Sequence, residues 1–167
     1  TEFPLKIEEV DDTIVVQRAM YGIKSSPLFA RAGGFTEPVD HRQHVTFTPP
    51  CYISINTTVE SAEAASENKI ADIRILNALT PETSNTTNYF WSLVRCFALD
   101  DEEIETFLHE ANTFAFSEDK AIIERQQNMW DTIPDAKPIP FPHDKGVIAS
   151  DQLMDRLIAA EQAEISS

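Results

Sequence analysis

The chain has 167 residues, of which 42% are hydrophobic and 25% charged, a size and composition at which a single domain can bury a core of its own. Thirteen basic residues against 28 acidic ones leave a formal charge of −15, which argues against nucleic acid and anionic membrane surfaces as partners. No apolar run approaches the roughly 18 residues of a membrane helix, and the isolated cysteines Cys51 and Cys96 make no disulfide framework, zinc ribbon or iron–sulfur motif.

"LKIEEV" and "TIVVQRAM" read as strands on either side of a hairpin turn at Asp11-Asp12. "GIKSSPLFARAGGFTEPVD" is punctuated by Pro27, Gly33-Gly34 and Pro38 and reads as a loop. A third strand runs through "HVTFT" and stops at Pro49-Pro50. A fourth, "CYISINTTV", alternates Ile53, Ile55 and Thr57 against Ser54 and Asn56. "TVESAEAASENK" is small and polar, a turn or a short helical excursion. "IADIRILNAL" is a further strand, and after the loop "TPETSNTT" the run "NYFWSLVRCFAL" has bulky groups on both faces, which predicts a central strand covered on both sides. Five or six antiparallel strands result.

The pattern changes at Asp100. Acidic residues fill the first turn of "DDEEIETFLHEANTFAFSEDKAIIERQQNMW", where they complement the helix dipole, and the period is then helical for about thirty residues, with a kink expected near Phe116-Ser117. "DTIPDAKPIPFPHDKG" carries Pro134, Pro138, Pro140 and Pro142 and reads as an extended crossing segment. A last helix is expected from Asp151 to about Glu164, capped by Ser150. Strands first and helices last predict an α+β fold, one domain over residues 1–167, with an antiparallel sheet curled around a long C-terminal helix and an apolar ligand pocket between them. The absence of a basic-then-apolar leader and the unpaired cysteines point to a cytoplasmic location, and the opening Thr1 suggests a piece cut from a longer chain.

Stepping at helical spacing from Leu108 gives Ala111, Ala115, Asp119, Ile122 and Gln126, one face of an amphipathic helix with a carboxylate in its apolar stripe. Such a group must be paired, bound to a metal or exposed by a break in the helix. The two readings are a kink at which Ser117 caps a second helix and Asp119 is solvated, or a functional carboxylate. His41 and His44 form an H-x-x-H that could hold a metal only on a helix; on a strand they face opposite sides, and the flanking residues read as strand. His109 and His143 read as surface residues. Tyr89, Phe90, Trp91 and Phe97 read as core before they read as a pocket lining, and Arg95, inside an apolar run, needs an anion, most simply a carboxylate of the protein.

Three separated blocks, "LTPETSNTTNYFWSLVRCFALDDEEI", "FSEDKAIIERQQ" and "LMDRLIAAEQ", resemble in order and spacing the C-terminal catalytic region of Rieske non-haem iron oxygenases, above all the oxygenase component of vanillate O-demethylase. The resemblance spans at least residues 79–162 and continues more loosely upstream through "VTFTPP". It implies a helix-grip fold of the START/SRPBCC kind. It implies a mononuclear Fe(II) held by two histidines and one carboxylate, with Asp119 of the E-D-K block as that carboxylate and hence the metal-binding and catalytic residue. It implies a [2Fe-2S] Rieske cluster in an N-terminal domain, a reductase as electron donor, dioxygen and an aromatic compound as substrates, and a trimer that brings cluster and iron of neighbouring subunits together. Asn77, Asn88, Phe90 and Phe107 are the expected substrate-pocket residues.

The departures are specific. None of His41, His44, His109 and His143 matches the iron histidines, and the Cys-x-His and Cys-x-x-His pairs of a Rieske site are absent. Asn88 stands where relatives often have His, and Cys96 replaces an acid or amide. The expectation is therefore the C-terminal part of an oxygenase catalytic domain, inactive alone, that belongs to an enzyme hydroxylating or O-demethylating a substituted aromatic compound. The alternative is a non-catalytic helix-grip carrier or sensor of a small hydrophobic ligand.

Overall fold

A computed structural model describes residues 3–63, 69–133, 139, 141 and 143–166. Six strands form one antiparallel sheet in sequence order: β1 (Lys6–Val10), β2 (Thr13–Ile23), β3 (Val39–Thr48), β4 (Tyr52–Ser61), β5 (Ile70–Pro81) and β6 (Thr87–Arg95). Three helices accompany them: α1 (Pro27–Ala32), α2 (Glu102–Thr132) and α3 (Lys145–Ile165). None of the described helices is long and apolar enough to cross a membrane.

The first hairpin turns on Asp11 and Asp12, whose φ angles of 47° and 55° are those of a two-residue turn matched to strand twist. Alternation along β4 sorts its residues as the pattern implies. Ile53, Ile55, Thr57 and Val59 stand opposite Phe47, Val45, Gln43 and His41 of β3 and Asn77, Ile75, Ile73 and Ala71 of β5, all on the concave face. The helices cover that face. Leu108 of α2 is 1% exposed and joins Phe29 and Phe35 with Val39, Val59, Ala71 and Ile73 in the main core. Leu153 of α3, also 1% exposed, and Ile14 of β2 are the other fully buried large side chains. α3 lies so close to β2 that a Cβ at Gly146 would meet Val16 Cγ2 at 2.9 Å, and Arg156 of α3 pairs with Glu9 at 2.5 Å. Gly146 thus serves packing rather than helix propensity.

Four features depart from the expected elements. The loop after β2 contains α1, which starts at Pro27 behind the N-cap Ser26, whose side chain accepts from Phe29 N–H. Proline at the first helical turn begins a helix as readily as it marks a loop. β6 is an edge strand, not a covered central one: Phe90 and Val94 are each 63% exposed on the face turned away from the helices. α2 is a single helix of 31 residues without the expected break at Phe116-Ser117, because Ser117 Oγ donates to Phe114 O inside the helix instead of capping a new one. α3 begins at Lys145, so Ser150 is interior and donates to Gly146 O. The small polar segment at 64–68 and Pro134, Pro138, Pro140 and Pro142 lie outside the described residues.

Arg95 closes β6 onto α2. Its guanidinium donates to the carbonyls of Phe97 (3.0 Å), Ala98 and Asp101 (3.2 Å) and stands 3.8 Å from Glu105. The expected carboxylate partner is present, but backbone carbonyls satisfy most of the group. The next residue of that turn, Asp101, caps α2 by accepting from Ile104 N–H at 3.0 Å. Replacing Leu108 with Ala should lower the unfolding free energy by about 2–5 kcal/mol in chemical denaturation, whereas Ile165→Ala, at a side chain 80% exposed, should change it by less than about 0.5 kcal/mol.

Candidate functional site

α2 loses its cover along its second half. Leu108 is sealed in the core, Phe116 is half-buried, and residues 117–126 are all exposed. Where the helix departs from β4, β5 and β6 it leaves an open cleft of about 410 Å³. The sheet contributes Ile53, Ile55, Asn77, Leu79 and Tyr89; the helix contributes Phe116, Asp119, Ile122 and Ile123. Positions 116, 119, 122 and 123 form one stripe by helical geometry; of the face stepped off from Leu108 in the sequence, Asp119 and Ile122 line the cleft.

Asp119 is exposed to solvent and makes no hydrogen bond or ion pair among the described residues. Among the described residues it is the only charged side chain lining the cleft. The paradox of a carboxylate on an apolar stripe is resolved by the opening of the cleft and not by a break in the helix. Two further polar groups stand on the opposite wall. Asn77 is 3% exposed; its Nδ2 donates to Ile53 O at 3.0 Å, and its Oδ1 accepts from the Tyr89 hydroxyl at 2.6 Å. Both ends of the amide are therefore fixed, and the Tyr89 oxygen retains its acceptor capacity. Burial raises the Tyr89 pKa above its ordinary value, and the negative charge of Asp119 raises it further. Phe116 packs against Tyr89 (centroids 5.6 Å apart) and Trp91 (5.1 Å), so the aromatic corner of the cleft is held from the side.

Of the positions singled out in the sequence, Asp119 and Asn77 come together here. Asn88 and Phe90 flank Tyr89 on the edge strand and, by alternation, lie on the other face of the sheet. Phe107 belongs to the core region, with the Arg31 guanidinium 3.9 Å from its ring centre. Tyr89, read from the sequence as core before pocket lining, is 44% exposed and lines the cleft, because the β5–β6 register sets it opposite Leu79 and near Asn77; Ile123 was not singled out in the sequence. The histidines are dispersed. His41 is half-buried, edge-on to Phe29 at 5.6 Å; His44 is exposed on the opposite face of β3; His109 stacks on Trp91 at 5.7 Å; His143 is exposed in the turn before α3. Burial and, after it, the charge of Arg18 hold the His41 pKa below its ordinary value. Among the described residues no three His, Cys, Asp or Glu side chains are placed to hold a metal ion. An accessible, unpaired carboxylate suits a divalent cation as one ligand, but these residues do not complete a metal site.

Comparison with known proteins adds a family to this geometry. The family described as the vanillate O-demethylase oxygenase C-terminal domain matches residues 1–160. The vanillate O-demethylase oxygenase subunit of a Pseudomonas species is 29% identical over 171 residues, covering 97% of this chain and 52% of the relative. The toluene-4-sulfonate monooxygenase system iron-sulfur subunit of Comamonas testosteroni is 29% identical over 132 residues, covering 76% of this chain and 38% of its own length. Among solved structures, dicamba monooxygenase bound to 3,6-dichlorosalicylic acid superimposes with a TM-score of 0.83 at 20% identity over 97% of this chain and 48% of that one. Dicamba monooxygenase with non-heme iron and dicamba gives 0.78 at 21% identity, over 96% and 50%. The fold is the one these structures share, and the chain spans about half the length, or less, of the relatives it matches.

Because Asp119 raises the Tyr89 pKa only after burial does, Asp119→Asn should bring the phenol part of the way back toward 10. Absorbance titration of the tyrosinates, with Tyr89→Phe as the subtraction, measures it; an unchanged value shows that the two groups do not sense each other.

Proposed function

The chain belongs to the family of vanillate O-demethylase oxygenase C-terminal domains, and we propose that it forms the C-terminal part of the catalytic domain of a Rieske-type oxygenase acting on a substituted aromatic compound. One observation carries the reading: among the described residues Asp119 is the only charged side chain lining the cleft, and it is unpaired, accessible and set among apolar walls. In this reading Asp119 supplies one carboxylate to a mononuclear Fe(II), whose histidine ligands come from outside these 167 residues. The relatives include an iron-sulfur subunit and a structure with non-heme iron, which supports iron as the cofactor. The bound iron would supply activation of dioxygen for hydroxylation of a ring or of a methyl ether carbon.

The chain's own residues then have defined tasks. Ile53, Ile55, Leu79 and Phe116 offer a ring an apolar surface to lie against. The Asn77 amide, locked between Ile53 O and the Tyr89 hydroxyl, keeps Tyr89 pointed along the wall. Tyr89 stays protonated at neutral pH, since both influences on it raise its pKa, and so presents a neutral oxygen to the ligand rather than a second anion beside Asp119.

A Rieske [2Fe-2S] cluster on the remainder of the protein, a reductase partner, a trimeric assembly and a cytoplasmic location belong to the same reading and follow from the family resemblance. The carrier alternative draws no support from the relatives, which are named as oxygenase or monooxygenase subunits.

The test is metal content in the full natural protein, purified anaerobically with Fe(II). Asp119→Ala should lose the mononuclear iron while retaining any cluster iron, and turnover of methoxylated aromatic acids should cease with it. Iron retained by Asp119→Ala, or aromatic binding without any iron requirement or turnover, contradicts the assignment.

A further inference from the structure

Among the described residues, the polar atoms that line the Asp119 cleft and remain free are all acceptors. Only Asn77, Tyr89 and Asp119 of the lining residues carry polar side chains. β4 and β5 each have a strand on both sides, so the main-chain N–H groups of Ile53, Ile55, Asn77 and Leu79 are taken up by the sheet. Those of Phe116, Asp119, Ile122 and Ile123 are taken up within α2. Asp119, as a carboxylate, has no proton to give.

A tyrosine hydroxyl can donate or accept, and Asn77 removes the choice for Tyr89. Among the described residues Asn77 is the only buried polar or charged side chain, 3% exposed. It stands opposite Ile53 in the β4–β5 register, and Tyr89, opposite Leu79, is its diagonal neighbour on β6. Asn77 Nδ2 donates to Ile53 O at 3.0 Å. A carbonyl oxygen only accepts, so turning the amide over would set two acceptors against each other. Oδ1 is thereby fixed toward Tyr89, whose O–H donates to it at 2.6 Å. The phenol has committed its one hydrogen and retains only lone pairs for a group in the cleft. Asp119 stands on the opposite wall, close enough that its charge adds to burial in raising the phenol's pKa.

We propose that Tyr89, locked by Asn77, is a one-way acceptor that selects an aromatic ligand with a neutral hydroxyl or N–H substituent facing it. This rests on the aromatic-oxygenase reading above and names a substituent that the substrate carries. With Asp119 engaged by iron in that reading, the Tyr89 oxygen is the lining atom left to meet a polar substituent. A ring hydroxyl or amine donates to it and so replaces a hydrogen bond given up by water. A carbonyl or carboxylate in the same place meets a lone pair and finds no donor among the lining residues. Asn77 acts through Tyr89 and is a positioning residue.

Titration calorimetry on the full natural protein, loaded anaerobically with Fe(II), tests the assignment with 3-methoxyphenol, 3-methoxytoluene and 3-methoxybenzaldehyde. The three share a methoxylated ring and present a donor, an apolar group and an acceptor without a hydrogen. The wild type should bind the phenol about three- to tenfold more tightly than the toluene, and the aldehyde no more tightly than the toluene. Tyr89→Phe should bind phenol and toluene alike. Asn77→Leu frees the Tyr89 hydrogen and should raise the affinity for the aldehyde above that for the toluene, a reversal that lost packing alone does not produce. Should Asn77→Leu fail to fold, the wild type and Tyr89→Phe decide alone. An aldehyde bound by the wild type as tightly as the phenol overturns the proposal, because Tyr89 then donates to the ligand. A phenol preference that survives in Tyr89→Phe overturns it too, and an aldehyde that gains nothing in folded Asn77→Leu overturns the locking role of Asn77. Equal binding of all three compounds by the wild type removes the one-way acceptor but leaves the aromatic cleft standing. Binding of none removes the acceptor; the iron assignment falls with it only if Asp119→Ala retains the mononuclear iron.

Discussion

The rest of this structure depends on how an apolar helix stripe tolerates a carboxylate. Asp119 is flanked one turn before and after by Phe116, Ile122 and Ile123, all facing the same cleft, and burying it unpaired there would be very costly. The fold avoids that cost because the first half of α2 seals a core through Leu108 while the second half faces the β4–β6 wall across an open cleft. The β4–β6 wall opposite then fixes what the carboxylate sees: three aliphatic side chains, and an amide–phenol pair whose internal hydrogen bonds are closed. The arrangement leaves one accessible carboxylate facing an apolar wall.

Polarity across the concave face is the second consequence. α2 holds its carboxylate over β4–β6, and Arg18 stands on β2, where α3 covers the sheet at Val16. Neither charge is matched by a neighbour, while the remaining arginines, apart from the exposed Arg125, have carboxylate partners.

How much of this could be read in advance varied with the range of the interaction. Two-residue alternation placed Ile53 and Ile55 on the inner face of β4, and helical spacing placed Asp119 on the same stripe as Ile122, because both are local properties of a chain. The continuity of α2 through Ser117 was not legible, since a serine hydroxyl serves a cap or an i−3 carbonyl equally well. Nor was the start of α3 at Lys145, where Gly146 looks like a breaker until Val16 is seen against it. The run in β6 has bulky residues on both faces whether or not anything covers them, and Phe90 and Val94 are simply bare. The Tyr89–Asn77 pair and the isolation of Arg18 required strand register, which links positions 12 to 25 residues apart and leaves no mark on either segment alone.

The central claim is that Asp119 faces inward across the cleft because a metal cation belongs beside it. Anomalous scattering at the iron edge from crystals of the full natural protein is the most direct measurement. The account predicts an iron peak at about 2.0–2.2 Å from an Asp119 carboxylate oxygen, the span seen for carboxylate ligands of a comparable divalent ion. An iron bound elsewhere in the catalytic domain, with Asp119 turned to solvent, would contradict it.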